Sequence, residues 1–374
     1  MYYAIYAFGL FFAFINGKSK MIFLFFLSFL SLVAFFRYGV GPDYFAYQYL
    51  FNRLNISPIN EFLHGVDQQE IFFRIFGSFL KGLGFSYQQY LIVIAIINLY
   101  YISKICLKYS DNPVLSLLLY FCFYYFVWTF SGLRQGLTLA IGIYYLIQCI
   151  EKDKVIKLII ITLLLALIHL SSIILIPLYY ISKIDLKKKT LIYLVVFSIL
   201  ISLLPIGPLI SQLNGIPFID RILPYTTPYS GVNNILDFQS VIRILFLIIA
   251  FFYYDFYISK GEHSKQLINI YILSYCFYFI FKFSELSAAR IALYGGVLNI
   301  ILFTNFYYLY KDRMNKLIYS ICLIILSVLY LTKELNSLER LTGLDSVESF
   351  QTPYTNIFNN NEYYFKNKYI KILD

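Results

Sequence analysis

Apolar runs separated by short polar connections alternate along the whole chain. The runs fall at 2–16, 21–36, 87–106, 113–130, 135–150, 155–169, 171–182, 190–207, 239–258, 266–283, 290–310 and 317–332. Backbone amides inside a lipid bilayer have no water to bond with, so each run is predicted to be an α-helix. At roughly 20 residues a span, the pattern predicts an all-α polytopic transmembrane bundle of about 12 spans (roughly 11–13).

The stretch between the second and third runs differs from the rest. Residues 71–84 carry Arg74 and Lys81 and are too short and too charged to span, so we expect an interfacial or re-entrant helix. We expect a single integral membrane domain over 1–374, with no internal repeat and no soluble domain. Its extracytoplasmic parts are predicted to be the loop 37–86, which includes this helix, the loop 208–238 and a polar tail at 333–374.

Composition supports a membrane protein. Apolar residues make up 60% of the chain and charged residues 13%, which excludes an ordinary soluble domain and a disordered one. The net charge of +10 comes from basic residues between apolar runs, which is typical of the positive-inside rule, so no nucleic-acid partner is expected. The N-terminal run lacks a basic leader and a cleavage site and is interpreted as a retained first span.

Lysine and arginine are distributed unequally between the two predicted sides. The loops predicted to be cytoplasmic hold fifteen lysines and one arginine, Arg313, whereas the other side has eight arginines and six lysines. The planar guanidinium of arginine can bind a phosphate or carboxylate group with two parallel hydrogen bonds, which the ammonium of lysine cannot do. An arginine-rich outer face therefore suggests an anionic ligand, although arginines that snorkel to the interface would produce the same distribution.

The segment from Arg37 to Gln48 forms the strongest polar cluster. Gly39 and Gly41 allow a sharp turn, and Asp43 is predicted to open a short helix after it. Two interpretations stay open for each charged residue. Asp43 is either a simple N-cap or a functional acid, and Arg37 is either a snorkelling anchor or a ligand-binding cation.

Other charged residues stand at predicted membrane boundaries. Arg134 lies between two apolar runs, where a cation is costly unless it snorkels or pairs. Arg290 and Tyr294 are one helical turn apart and could face one ligand, or could anchor the helix at the interface. His169 is a candidate general base, a hydrogen-bond donor to phosphate, or only a hydrogen-bonded cap. Glu70 is either a functional acid or a residue favoured at its position by the helix dipole.

The sequence offers little support for a cofactor. It contains no H-E-x-x-H and no acidic cluster with metal-ligand spacing, so a catalytic metal is not expected. The two glycines at 39 and 41 are too weak a pattern for a phosphate-binding loop. We expect no cofactor.

These landmarks resemble a known family. RYGVGPDYFAYQYLF at 37–51 looks like the signature of the EpsG family, the Wzy-like membrane proteins that polymerise bacterial exopolysaccharide. Later matches follow in order: Glu70 before IFFRIFGSFLKGLG, SGLRQGLTLAIGIYYL, HLSSIILIPLYYI, SAARIALYGG and QTPYTNIF. The loop 208–238 matches no part of the family that we recognise.

The resemblance implies a metal-independent membrane glycosyltransferase of the GT-C type, at the outer face of the bacterial cytoplasmic membrane. It would polymerise polyprenyl-diphosphate-linked repeat units into exopolysaccharide, capsule or O-antigen. Expected partners are these lipid-linked glycans, membrane lipid, and a chain-length regulator and flippase of the same pathway. Three alternatives remain: a flippase or transporter of the lipid-linked unit, an O-antigen-type ligase, and a scaffold of an export complex.

The same resemblance suggests roles for particular residues. Candidates for the base that takes the acceptor proton are Asp43, Glu70 and His169. Candidates for substrate binding are Arg37, Tyr44, Tyr47, Arg134, Gln135, Arg290, Tyr294 and Tyr354. The arginines would clamp diphosphate and the tyrosines would contact sugar rings.

Overall fold

The computed structural model describes residues 1–41, 43–65, 69–204, 206, 237–341, 354 and 356–358. The predicted loop at 208–238 lies outside this part of the chain except for its last two residues. Each predicted apolar run is helical over most of its described residues. The helices are α1 Tyr2–Asn16, α2 Lys20–Phe36, α3 Tyr44–Arg53, α4 Pro58–His64, α5 Ile71–Gly82, α6 Tyr87–Tyr109, α7 Pro113–Tyr120, α8 Leu133–Glu151, α9 Val155–Ala166, α10 Leu175–Ser182, α11 Lys188–Ser202, α12 Phe238–Ile258, α13 Glu262–Ile280, α14 Glu285–Gly296, α15 Asn299–Tyr307 and α16 Arg313–Leu341.

Fewer helices meet the length and hydropathy expected of a membrane span than the sequence predicts. In the described residues, five helices are long and apolar enough to cross a membrane, and α14 with α15, bent by 45°, would make a sixth. Shorter apolar helices cover Tyr2–Asn16, Lys20–Phe36, Val155–Ala166 and Leu170–Ser182. The all-helical fold of a multi-pass membrane protein is confirmed, whereas twelve spans are not.

Two helices extend beyond the predicted apolar runs. The connection implied between the runs 266–283 and 290–310 is shorter than expected, because α14 already begins at Glu285. α16 continues to Leu341, so the first residues of the predicted polar tail 333–374 are helical. Polar residues next to an apolar run do not themselves stop a helix.

Local signals begin several helices. Ser86 forms a capping box at the start of α6, in which its side chain accepts from the Gln89 amide and Gln89 bonds back. Asn112 caps α7 by accepting from the amide of Leu115 at 3.0 Å, and Pro113 occupies the first turn. α7 is continued by a π-helix at Phe121–Ser131.

The chain divides into two compact units. The first comprises Met1–Tyr144, Leu164–Leu170 and Phe303–Asp374, and the second comprises Tyr145–Leu163 and Ser171–Leu302. In the first unit, α7 is buried along its whole length and packs against α1, α2 and α6. In the second unit, α13 packs against α10, α11, α12 and α14, and its residues 267–276 are all buried.

A short part of the C-terminal tail returns to the end of α2 in the first unit. The hydroxyl of Tyr354 donates to the carbonyl of Val33, and the amide of Ile357 donates to the carbonyl of Phe36 at 3.0 Å. Carbonyls in the last turn of a helix have no partner within the helix. The tail therefore caps the end of α2 with bonds from a distant part of the sequence.

Candidate functional site

Three side chains from distant parts of the first unit meet at the carboxylate of Glu70. Arg134 donates from Nη1 to Oε2, and His169 contacts Oε1 through Nδ1 at 3.0 Å. All three side chains are partly exposed, with 24% of Glu70, 27% of Arg134 and 12% of His169 accessible. Together with Tyr47, these residues are named the Glu70 cluster.

The start of α5 positions Glu70. The residue occupies the N-cap position, yet its side chain makes no capping bond and points to the cluster instead. The amide of Phe72, in the first turn of α5, donates to the carbonyl of Leu167 at 3.0 Å. This bond links α5 to the segment that carries His169. The helix-dipole interpretation of Glu70 is therefore incomplete, because its carboxylate has two side-chain partners.

A buried ion pair supports α5 from the preceding helix. Nη1 of Arg74 donates to Oε1 of Glu61 at 2.9 Å, and only 9% and 2% of these side chains are accessible. The other oxygen of Glu61 accepts from the amide and side chain of Asn55, both at 2.9 Å. Arg74 thus holds α4 and α5 together four residues after Glu70. The expected helix at 71–84 is present, and its arginine has a structural partner.

A close contact positions Arg134 at the start of α8. A Cβ atom on Gly136 would lie 1.7 Å from the carbonyl oxygen of Trp128, in the π-helix before α8. Only glycine permits such an approach of two backbones. π-helical segments are rare and occur frequently at functional sites. The Ser-Gly-Leu-Arg-Gln-Gly sequence around Arg134 thus encodes a tight turn from the π-helix into α8.

Buried hydrogen bonds hold this turn in place. Nδ2 of Asn98, in α6, donates to the carbonyl of Gly136 at 2.8 Å. Its Oδ1 accepts from the hydroxyls of Tyr120 at 2.9 Å and Thr129 at 3.1 Å. Since every polar atom of the Asn98 side chain is used, the network links α6, α7 and α8 rigidly.

Tyr47 completes the cluster from α3. Its side chain is 9% exposed, and its hydroxyl forms a hydrogen bond with Arg134. Burial raises the pKa of Tyr47, while the positive charge of Arg134 acts in the opposite direction. Tyr47 therefore remains a neutral phenol whose hydroxyl orients the guanidinium of Arg134.

The charge state of Glu70 determines the tautomer of His169. Burial disfavours the carboxylate, but the His169 hydrogen bond and the charge of Arg134 outweigh it and lower the pKa of Glu70 to about 2. An ionised carboxylate only accepts hydrogen bonds, so the shared hydrogen must lie on Nδ1 of His169. In neutral His169, Nε2 then carries the lone pair.

Two nitrogen atoms of the cluster are buried and have no hydrogen-bond partner among the residues that the structure describes. They are Nε2 of His169 and Nε of Arg134. Leaving a buried polar atom unpaired costs about 1–3 kcal/mol, and such atoms are rare in native proteins. A ligand that supplies the missing bonds would explain both.

Arg37 and Tyr44 of the first predicted motif are enclosed, whereas Asp43 is not. Arg37 is 2% exposed, donates to the carbonyl of Val40 at 2.7 Å, and has its guanidinium 4.7 Å from the ring of Phe130. Arg37 is therefore not a snorkelling anchor. Tyr44 is also buried, and its hydroxyl donates to Gln88 at 3.2 Å. Asp43 is exposed at the start of α3 and makes no side-chain capping bond.

The remaining candidates lie in different surroundings. Gln135 is 3% exposed, next to Arg134 on α8, and Tyr354 is held by its bond to the end of α2. In the second unit, Tyr294 is fully buried and its hydroxyl lies 3.2 Å from that of Ser171, while Arg290 is half-buried on the same helix. Three of the four candidate tyrosines, Tyr44, Tyr47 and Tyr294, are thus packed inside the protein.

No group of three or more potential metal ligands occurs within the described part of the chain. The Glu70 cluster instead combines a carboxylate, an imidazole and a guanidinium group. Such a set can move one proton and stabilise negative charge.

Comparison with known proteins supports the resemblance noted in the sequence. The family model described as the EpsG family matches residues 3–356, nearly the whole chain. The protein belongs to the EpsG family. Membership places this chain among membrane proteins of polysaccharide synthesis that act on lipid-linked saccharides. Searches of curated proteins and of solved structures returned no match.

The sequence contains no indication of several residues that hold the surrounding structure in place. Glu61 and Asn98 sit in ordinary helical surroundings, and nothing in their neighbourhood indicates a buried partner. Gly136 could have been noticed, since a glycine two residues after Arg134 in an apolar run suggests a close approach. Asp237 and Lys282, an ion pair in the second unit, were also missed because a lysine at the end of an apolar run resembles an interfacial anchor.

Proposed function

We propose that this EpsG-family protein polymerises polyprenyl-diphosphate-linked oligosaccharide repeat units by glycosyl transfer. The observation that carries the proposal is the Glu70 cluster. Its carboxylate accepts hydrogen bonds from Arg134 and His169, while one nitrogen of each partner has no bond among the described residues. A base and an anion-binding group thus stand side by side.

His169 is the proposed general base. Nε2 takes the proton from the acceptor hydroxyl as that oxygen attacks the anomeric carbon of the donor. The bond between this carbon and the diphosphate oxygen breaks, and the diphosphate departs with the electron pair. Glu70 stabilises the imidazolium that forms. A positioned general base contributes about 10²- to 10⁴-fold in rate.

Arg134 is the proposed partner of the departing diphosphate. A guanidinium stabilises developing negative charge without itself transferring a proton. The bonds from Glu70 and Tyr47 hold it in one orientation and leave Nε for the ligand. Arg37 is proposed to act indirectly by stabilising the turn before Asp43, since its guanidinium is enclosed. Arg290 remains a proposed second anion-binding residue.

The proposal includes a location and a topology. The reaction takes place at the outer face of the bacterial cytoplasmic membrane, with the loops 37–86 and 208–238 and the tail 333–374 on that face. Twelve crossings in a GT-C-type arrangement would require the shorter helices to span as well. A chain-length regulator and a flippase of the same pathway are proposed partners.

The test of function is an assay with one substrate. Purified protein is incubated with a polyprenyl-diphosphate oligosaccharide, and the products are separated by length. A ladder of products supports the polymerase. A ligase would produce no ladder from lipid-linked repeats alone, and a transporter would move the substrate across vesicle membranes without forming a new bond.

Replacement of the base provides a sharper prediction. The His169→Ala variant should lose about 10²- to 10⁴-fold in the rate of ladder formation, because no other group occupies the position of Nε2. His64→Ala is the matched control, since His64 is exposed on α4. Equal rates for wild type and His169→Ala would rule out the proposed base.

A further inference from the structure

A polar pocket lies within the second unit, where three of its helices begin or end. It has a volume of about 380 Å³ and lies between the end of α10, the end of α12 and the start of α13. Seven of its ten lining residues have polar side chains. A pocket of this size accommodates a small molecule or the polar head of a larger one.

One face of α13 forms a wall of the pocket. Glu262, Lys265, Gln266 and Asn269 follow the spacing of a single helix face, and all four line the pocket. From Glu262 to Asn269 the helix rises roughly 10 Å, so the wall reaches from the start of α13 into the protein. The described residues provide no side-chain cap for the start of α13, where the helix dipole favours negative charge.

Asn269 lies deepest along this wall and has an unused hydrogen-bond donor. It is 2% exposed, and its Oδ1 accepts from the buried hydroxyl of Tyr254 at 2.9 Å. Its Nδ2 has no hydrogen-bond partner within the part of the chain that the structure describes. Buried polar groups are nearly always paired. This amide therefore points to a ligand that accepts a hydrogen bond inside the pocket.

Two lysines line the pocket and can add donors to that of Asn269. Lys265 donates to Asp185, and Lys183 donates to Asp153 at 2.7 Å. The side chains of Asp185 and Asp153 are 83% and 79% exposed, and ion pairs this exposed contribute little to stability. Each ammonium has three hydrogens, so each lysine can bond a further acceptor. The pocket thus offers donors to one anionic group.

Two carboxylates give the pocket acceptors as well. Glu262 is exposed, lines the pocket and has no ion-pair partner among the described residues. Asp185 also lines the pocket, and its Oδ1 accepts from Lys265. With two lysines and two carboxylates, the lining has no net charge. A simple anion would meet both carboxylates, whereas a ligand with one anionic and one cationic group matches both sets.

The surroundings of the pocket are those of a membrane interface. Ile258, which lines it, is the last residue of a helix long and apolar enough to cross a membrane. Ile184, also in the lining, is 54% exposed, and Tyr180 and Phe256 nearby in the sequence are 53% and 65% exposed. Exposed apolar side chains beside a polar pocket are typical of the boundary between lipid chains and headgroups. The lysine-rich connections around it place it on the predicted cytoplasmic side.

We propose that this pocket binds the phosphoethanolamine headgroup of a phospholipid in the cytoplasmic leaflet. The phosphate accepts hydrogen bonds from Asn269, Lys183 and Lys265, and the primary ammonium donates to Glu262 and Asp185. Basic pockets between membrane helices recognise lipid headgroups, and the two carboxylates here select a head that carries an ammonium. The site shares no residue with the Glu70 cluster, so the proposal does not depend on the reaction proposed there.

The test compares three phospholipids with identical acyl chains. The full-length protein, freed of bound lipid in detergent, is titrated with phosphatidylethanolamine, phosphatidylcholine or phosphatidylglycerol, and bound lipid is counted by native mass spectrometry. Phosphatidylcholine has no ammonium hydrogen to donate, and phosphatidylglycerol has no ammonium at all. We expect phosphatidylethanolamine to bind about tenfold more tightly than either, the typical effect of a hydrogen bond to a charged group. Free phosphoethanolamine at the same concentration should not displace it.

Two variants and a matched control address the pocket itself. Asn269→Asp keeps an acceptor for Tyr254 but places a carboxylate where the phosphate is proposed to bind, and Lys265→Gln removes one cation. Each should weaken binding of phosphatidylethanolamine by about tenfold or more. Lys260→Gln is the control, because Lys260 is exposed and does not line the pocket. Thermal unfolding without lipid confirms that each variant is folded.

Three results would overturn this assignment. Phosphatidylcholine or phosphatidylglycerol binding as tightly as phosphatidylethanolamine would show that the ammonium is not recognised. Displacement of the lipid by an equal concentration of free phosphoethanolamine would assign the pocket to a soluble ligand. Unchanged binding to the folded variants Asn269→Asp and Lys265→Gln would show that the lipid binds elsewhere.

Discussion

Glu70 illustrates how one side chain acquires a role from its neighbours. Burial alone would favour its neutral form, yet two donors from other parts of the first unit keep it ionised. Its charge in turn places the hydrogen of His169 on Nδ1 and leaves Nε2 as an acceptor. The chemistry of the cluster is therefore a property of three residues together.

Replacement of Arg134 by lysine tests whether the several hydrogen-bond donors of the guanidinium group are needed. Arg134→Lys keeps the charge but has one nitrogen in place of three, so it cannot bond Glu70 and a ligand in the same geometry. We expect a loss of about 10²- to 10³-fold in polymerisation rate, as for removal of one donor to a developing anion. The Arg313→Lys variant is the control, because Arg313 lies on the exposed start of α16. Normal polymer length from Arg134→Lys in a strain that lacks the natural protein would contradict the clamp.

The lowered pKa of Glu70 predicts how stability depends on pH. Its folded-state pKa of about 2 lies below its ordinary value of 4.5, so its stabilising contribution is complete above pH 4.5 and disappears as the pH falls toward 2. The difference in melting temperature between wild type and Glu70→Gln should be constant from about pH 7 to 5.5 and should shrink below about 4.5. Differential scanning fluorimetry in detergent measures the melting temperatures of wild type and Glu70→Gln at each pH. A difference that already shrinks near pH 6 would show that Glu70 is not held ionised.

At the scale of elements, the junction between the π-helix and α8 sets the position of Arg134. The junction relies on backbone contact at Gly136 and on the bonds of Asn98. Small residues at such a contact matter because protein interiors transmit even small displacements.

A single methyl group tests this junction. Gly136→Ala places Cβ 1.7 Å from the carbonyl oxygen of Trp128, so α8 must move. We expect destabilisation by about 1–3 kcal/mol and loss of polymerisation, since Arg134 shifts with its helix. Gly296→Ala is the matched control, because its new Cβ would meet nothing closer than 3.5 Å. Wild-type activity of Gly136→Ala would show that the contact is not restrictive.

At the scale of the whole molecule, exposed apolar side chains are typical of a surface in contact with lipid. Tyr193 on α11 is 72% exposed and Phe252 on α12 is 65% exposed. Large apolar patches of this kind would be unfavourable in water. They agree with the family membership and with the short polar connections of the sequence.

Cysteine labelling tests the predicted sidedness. In a variant whose five natural cysteines are replaced, Asn60→Cys on α4 should react with an impermeant maleimide in intact cells. Lys187→Cys, at the start of α11, should react only after the membrane is permeabilised, because lysine-rich loops stay inside. The opposite pattern would place the Glu70 cluster on the cytoplasmic side and would contradict the proposed outward reaction.

Much of the helix pattern could be predicted from the sequence. The apolar runs gave correct helix positions because helical hydrogen bonds are local and hydropathy is encoded residue by residue. The prediction failed where polar residues belong to a helix, as at Glu285 at the start of α14, and where apolar helices are too short to be counted as spans.

The sequence by itself determined that the chain is a helical membrane protein of the EpsG family and that Glu70, Arg134 and His169 are unusual residues in it. Only the tertiary structure decided that these three meet. Arg134 and His169 lie 64 and 99 residues after Glu70, and no local signal encodes such a contact. It also decided that Arg37 and Tyr44 are enclosed, and that Nε of Arg134 has no hydrogen-bond partner among the described residues. Burial depends on how helices pack, and packing depends on shape complementarity over the whole unit rather than on any single motif.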